Sequence, residues 1–137
     1  MITYKITKEI PEEQVRALYE SVGWTSYREI ADVRGMLQAC QLVYTAWDKE
    51  RLVGSVRAVG DGAAIQYVQD LLVHPDYQNK GIGTHLIQYA LEKSKHIRQL
   101  VLITDGSPET KRIRDWYEKQ GLGTLENNGL VGYYRRA

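Results

Sequence analysis

Phenylalanine is absent from the 137 residues, and cysteine occurs once. The aromatic part of any core must come from ten Tyr and three Trp. Their polar tips need partners when buried. The lone thiol, Cys40, excludes an intrachain disulfide and a cysteine-based zinc cage, and reads first as a small buried apolar residue. The three histidines, His74, His85 and His96, do not form a metal cluster, so no metal site is expected. No sign of charge dominates: 18 Lys and Arg face 17 Asp and Glu, for a net +1. Composition therefore gives no case for a nucleic-acid partner, and any anion site must be a local arrangement. No apolar run approaches the ~20 residues of a membrane span. The opening MITYKITKEIPEEQ lacks the apolar stretch of a signal peptide, so the expected location is cytoplasmic, without a membrane partner.

What is present suits one domain over residues 1–137, with 43% hydrophobic and 26% charged residues. A strand is predicted over 2–7, followed by a helix opening at Pro11. Pro suits a first helical turn, and Glu12 and Glu13 suit its dipole. Val15, Leu18, Tyr19 and Val22 form its apolar stripe, and Gly23 ends it. Residues 24–27 read as a loop, and a second helix is expected over about 30–39. Strands over 42–47 and 52–59 are joined by a short polar connection, the pattern of a hairpin. A fourth strand is expected over 65–73, a helix from 81 to about 95, and a doubly buried strand over 100–104. Ser107 and Pro108 open a helix that closes at Gly121, and a last strand is expected over 130–134. This order argues for an α/β (α+β) fold with a mixed sheet and helices on both faces.

The chemistry concentrates at Gln78-Asn79-Lys80-Gly81-Ile82-Gly83, between a strand and a helix. The first turn of a helix offers unpaired N–H groups and the positive end of a dipole, which together bind anions. Gly81 and Gly83 remove side chains that would keep a diphosphate from the backbone. A Walker A loop needs Lys after its last Gly, but Lys80 precedes Gly81; a dinucleotide fingerprint needs a third Gly where Leu86 stands. The run Leu71–Gly83 instead resembles the Gln/Arg-x-x-Gly-x-Gly/Ala signature of the GNAT (GCN5-related N-acetyltransferase) family. Asp115-Trp116-Tyr117-Glu118-Lys119-Gln120-Gly121-Leu122 resembles that family's second motif, with Leu122 where Phe is common.

The resemblance implies the acyl-CoA N-acyltransferase fold: a mixed, mostly antiparallel central sheet with a splayed strand pair. It implies acetyl-CoA as cosubstrate. Its diphosphate would lie on Gln78, Asn79, Lys80, Gly81, Ile82, Gly83 and Thr84, and its pantetheine arm along Leu71, Leu72 and Val73 like an added strand. An N–H of that strand would polarise the thioester carbonyl. Thr110 stands where the family often has a cofactor-contacting Asn. Tyr117 becomes the catalytic acid, donating a proton or hydrogen bond to the departing sulfur. Relatives often carry Glu or His at the positions of Gln69 and Tyr67, and neither residue here is a good base. Strand alternation puts Asp70 on the opposite face from Gln69, so it reads as structural; Asp105 reads as a turn residue. Proton removal through water is expected.

Acceptor specificity in this family usually lies in the first two helices and their loop. Trp24 and Tyr27 in that loop, with Tyr67 and Gln69, are the candidate substrate residues. The expected activity is transfer of acetyl to a primary amine, on a small molecule or a peptide, by direct attack in a ternary complex. A homodimer is compatible with the family. Two other functions compete: a non-catalytic acyl-CoA sensor or interaction module on the same fold, and, more weakly, a nucleotide-binding protein.

Overall fold

Runs of β-branched and large apolar residues become strands, and those with helical periodicity become helices that cover the sheet. A computed structural model describes residues 1–137, and the chain divides into two compact units, Met1–Ile103 and Thr104–Ala137.

The first unit contains β1 (Ile2–Ile6), α1 (Glu12–Ser21), a 3-10 turn (Thr25–Glu29), α2 (Val33–Gln38), β2 (Leu42–Asp48), β3 (Arg51–Gly60), β4 (Ile65–Val73), a 3-10 turn (Pro75–Tyr77), α3 (Ile82–Lys93) and β5 (Gln99–Leu102). The sheet order follows the chain, β1-β2-β3-β4-β5. The first three pairings are antiparallel, and β4 pairs with β5 in parallel. A crossover connection is what a parallel neighbour requires, and α3 supplies it.

Alternation along β2 assigns the two faces. Val43 and Trp47 pack with Val15, Leu18 and Tyr19 of α1 and with Val33 and Leu37 of α2. On the other face, Tyr44 stacks on Tyr89 of α3. Gly54 of β3 lets α3 settle closely, since a Cβ there would lie 3.2 Å from both Ile82 Cγ2 and Leu86 Cδ1. Burial of Ile82, Leu86, Ile87 and Ala90 fixes the helix on the sheet and therefore fixes where its N-terminus points. No helix is long and apolar enough to cross a membrane.

The second unit carries a 3-10 turn (Pro108–Thr110), α4 (Lys111–Lys119) and a 3-10 turn (Glu126–Asn128). None of its residues is buried. Two sequence expectations fail near this end. Residues 130–134 form no strand: Val131, Tyr133 and Tyr134 are more than 70% exposed, and no neighbouring strand pairs with them. β-propensity alone does not make a strand when no ladder satisfies its backbone. β5 is half-buried rather than doubly buried, because it is the sheet's edge with β4 as its one neighbour. Of residues 24–27, read as a loop, only Trp24 precedes the 3-10 turn and the other three lie in it.

Candidate active site

The site begins where two strands part. Pairing of β4 with β5 runs from Ile65↔Gln99 to Val68↔Leu102 and stops there, while β4 continues to Val73. Beyond Val68, β4 keeps its β3 neighbour on one side and has an open edge on the other. The His74 N–H donates to Val53 O at 2.8 Å, so Val73 is turned the other way. Backbone groups alternate along a strand, and Leu71 and Val73 therefore present N–H and C=O to the open edge. Leu72 faces β3 with its main chain, opposite Ser55, and its side chain is core. The expectation that Leu71, Leu72 and Val73 all pair with a pantetheine arm is thereby corrected at Leu72. Val73 O already accepts a bond from Gln78 Nε2 at 2.9 Å.

A bulge sits where the opening starts. Arg57 opposes Asp70, and Ala58 opposes Val68, so Gln69 is an extra residue on β4. A bulge bends its strand and re-aims side chains. Here it lets Gln69 and Asp70 reach one group, against the expectation that alternation keeps them apart. Gln69 Nε2 lies 3.4 Å from the Tyr27 hydroxyl, which donates to Asp70 at 2.8 Å. Asp70 also accepts from Tyr19 (2.6 Å) and from Arg57 Nε (2.6 Å), and Arg57 Nη2 donates to Tyr27 (3.1 Å). Arg57 and Asp70 are buried. Burial alone would lower the Arg57 pKa, but the Asp70 charge and hydrogen bond outweigh it and hold it above its ordinary value. Burial, then the Asp70 carboxylate, pushes both Tyr19 and Tyr27 up.

The loop that follows is anchored before it turns. The Tyr77 hydroxyl donates to Asp48 at 2.5 Å, tying the 3-10 turn to the β2–β3 hairpin. Asn79 (φ 62°) and Gly81 (φ 84°) then take left-handed conformations that swing the chain onto α3. The helix has no side-chain cap, and the His85 N–H is bonded back to Gly81 O at 3.0 Å. The N–H groups of Ile82, Gly83 and Thr84 precede the first intrahelical bond, as in any first turn. A Cβ on Gly83 would meet Val73 Cγ2 at 3.8 Å, an ordinary contact. Crowding within the protein therefore does not require glycine here. An uncapped donor cluster beside an open strand edge fits a diphosphate joined to a peptide-like arm.

The acetyltransferase (GNAT) domain model matches residues 39–121. This chain belongs to the GNAT family. A curated relative, the uncharacterized N-acetyltransferase ycf52-like protein of Prochlorococcus marinus, is 34% identical over 122 residues. The match covers 85% of this chain, which spans 64% of that relative's length. A GNAT-family acetyltransferase of Streptococcus pneumoniae TIGR4 shares 33% identity at a TM-score of 0.85, covering 100% of this chain and 98% of that one. AAC(6')-Iy, solved with the bisubstrate analogue CoA-S-monomethyl-acetylneamine, shares the fold at a TM-score of 0.72 and 19% identity, over 100% of this chain and 99% of its own.

Within this GNAT chain, the second unit holds Tyr117 on α4, where partial burial raises the hydroxyl pKa to about 12. The Thr110 hydroxyl already has partners within the second unit. It donates toward Asp105 O (2.5 Å) and Ser107 O (2.9 Å) and accepts from Arg114 Nε (3.1 Å). Asp105 accepts from the Ser107 N–H at 2.9 Å, the work of a turn residue.

The acceptor candidates are spread along the first unit. Trp24 is partly exposed, 6.1 Å from the Tyr19 ring. Tyr67 is half-buried between Val59 and Val101, before the opening begins. Tyr27 and Gln69 meet at the bulge. Tyr27 also lines a small cavity of about 130 Å³, together with Arg16, Tyr19, Glu20, Arg28 and Val33. Sequence reasoning missed Arg57 and Tyr19. The available signal was Arg57, the one charge inside β3 past its first residue, and Asp70, the one charge in β4, since isolated charges inside core strands need each other.

Proposed function

We propose that this protein transfers an acetyl group from acetyl-CoA to a primary amine, on a small molecule or a peptide, by direct attack in a ternary complex. The observation that carries the reading is the open β4 edge at Leu71 and Val73, running into an uncapped, glycine-bearing helix N-terminus. The thioester lies where the Leu71 N–H polarises its carbonyl, and the diphosphate sits on the N–H groups around Gly81–Thr84. The fold shared with AAC(6')-Iy, whose bisubstrate analogue joins CoA to an aminoglycoside fragment, supports an amine acceptor.

Tyr117 is assigned as the acid from its motif and its chemistry. With its pKa near 12, full proton transfer to a thiolate of ordinary pKa ~8.5 is uphill by about 5 kcal/mol. The hydroxyl therefore acts by donating a hydrogen bond to the leaving sulfur. The amine loses its proton to water, because Gln69 at the opening and Tyr67 just before it are not bases, and Asp70 is committed to Arg57, Tyr19 and Tyr27.

The test is calorimetric CoA binding, followed by thiol release from acetyl-CoA across a panel of amines. Binding with turnover on at least one amine is expected. Tight CoA binding without turnover on any amine would make the protein a sensor, and ATP binding without CoA binding would overturn the reading altogether.

A further inference from the structure

We propose that the Gln69 amide oxygen holds the acceptor amine, and that the buried Arg57–Asp70 pair, acting through Tyr27, sets the orientation of that amide. This rests on the acetyl-transfer reading. The bulge makes Gln69 special among β4 residues. It is the first residue past the last β4–β5 pair and has no partner on β3. Its side chain is half-buried at the apex of the opening.

The orientation follows from counting protons. A Tyr hydroxyl has one proton and two lone pairs. Paired with Arg57, the Asp70 carboxylate offers only acceptors, so the Tyr27 proton goes to it at 2.8 Å. The lone pairs of Tyr27 then face Arg57 Nη2 (3.1 Å) and Gln69 (3.4 Å). The end of the amide nearest Tyr27 must therefore be its NH₂. The two ends of a glutamine amide are otherwise hard to tell apart, but here the direction of one proton decides. The carbonyl Oε1 is left as the acceptor.

A neutral primary amine has two N–H donors and one lone pair. An N–H held by Gln69 Oε1 restricts the rotation of the nitrogen and turns its lone pair toward the thioester carbon. Gln69 touches the substrate; Tyr27, Asp70 and Arg57 are positioning residues. An amide does this without titrating, which suits a site where water takes the proton.

The test is a double-mutant cycle in the full chain, with kcat and KM for the amine measured at saturating acetyl-CoA and CoA affinity by calorimetry. Gln69→Leu is expected to lower kcat/KM for the amine about tenfold, the scale of one lost hydrogen bond, with the CoA Kd unchanged within about twofold. Tyr27→Phe should lower it by a similar factor, and the double variant should be no worse than Gln69→Leu alone. A purely structural Tyr27 would give effects that multiply, and that result would overturn the proposal. So would a Gln69→Leu enzyme with unaltered kcat/KM. Should Tyr27→Phe fail to fold, Asp70→Asn in the same cycle carries the coupling test, and Gln69→Leu still decides the amide. Wild-type protein that turns over no amine would instead sink the acetyl-transfer reading, a different outcome from normal turnover that ignores Gln69.

Discussion

The two units differ in whether they bury a charged pair. In Met1–Ile103, Arg57 and Asp70 form a buried pair whose side chains are 9% and 4% exposed. In Thr104–Ala137, Lys111 and Asp115 form the same kind of pair one helical turn apart, with side chains 72% and 49% exposed. Every buried side chain of the protein lies between Ile10 and Ile97. The first unit therefore carries the core, the open strand edge and the glycine-bearing loop before α3. The second is built from local bonds such as those joining Asp105, Ser107, Thr110 and Arg114. Breaking the buried pair should therefore register in stability, and breaking the exposed pair should not.

The largest effect that can break this contrast is Arg57→Ala. It leaves the Asp70 carboxylate in the core without its counter-ion, held only by the Tyr19 and Tyr27 hydroxyls, and removing one partner of a buried pair costs about 3–5 kcal/mol. Denaturant unfolding measures it. The matched control is Asp115→Asn, for which the unfolding midpoint should not move, because a solvated pair contributes little. Equal losses in both variants would erase the distinction between the units.

Tyr117→Phe comes next. It should lower kcat about 10–100-fold while leaving the unfolding midpoint and the CoA Kd in place, as loss of one transition-state hydrogen bond predicts. A fall in stability with kcat intact would make Tyr117 a packing residue. Smaller again is Gly83→Ala. A methyl there meets only Val73 Cγ2 at 3.8 Å, so the protein folds as before, and Ala favours the helix. On the proposed diphosphate site the same methyl would crowd the ligand, and the CoA Kd is expected to rise about tenfold, or about 1.4 kcal/mol.

The difference between the units also explains what could be read from sequence. The loop Gln78–Gly83 and β4 were legible because their signals are local: a β-branched run, a Pro turn and glycines in order. The observed strand Ile65–Val73 has the predicted limits. The Arg57–Asp70 pair was not legible, since it depends on the register of two strands and on a bulge that moves Asp70 opposite Arg57. No residue type announces that bulge: Gln69 looks like an ordinary strand residue until its neighbours are paired. The strand expected over 130–134 failed for the converse reason, a good local signal with no edge to join.

The smallest predicted change is a shift of zero. A free alkyl amine with pKa ~10.4 is about one-thousandth neutral near pH 7.4, and with no base at the opening the rate follows that fraction. The logarithm of kcat/KM should climb with unit slope toward the pKa of the amine. Tyr117, with its pKa raised to about 12, keeps its proton throughout and adds no falling limb below about pH 11. Asp70→Asn disturbs Tyr27, so it should lower the whole profile, yet leave its inflection where the amine puts it. Measured with two amines of different pKa, the inflection should follow the substrate. A wild-type inflection near neutrality that ignores the amine and disappears in Asp70→Asn would make Asp70 the base. The buried pair would then belong to the chemistry rather than to the scaffold that positions it.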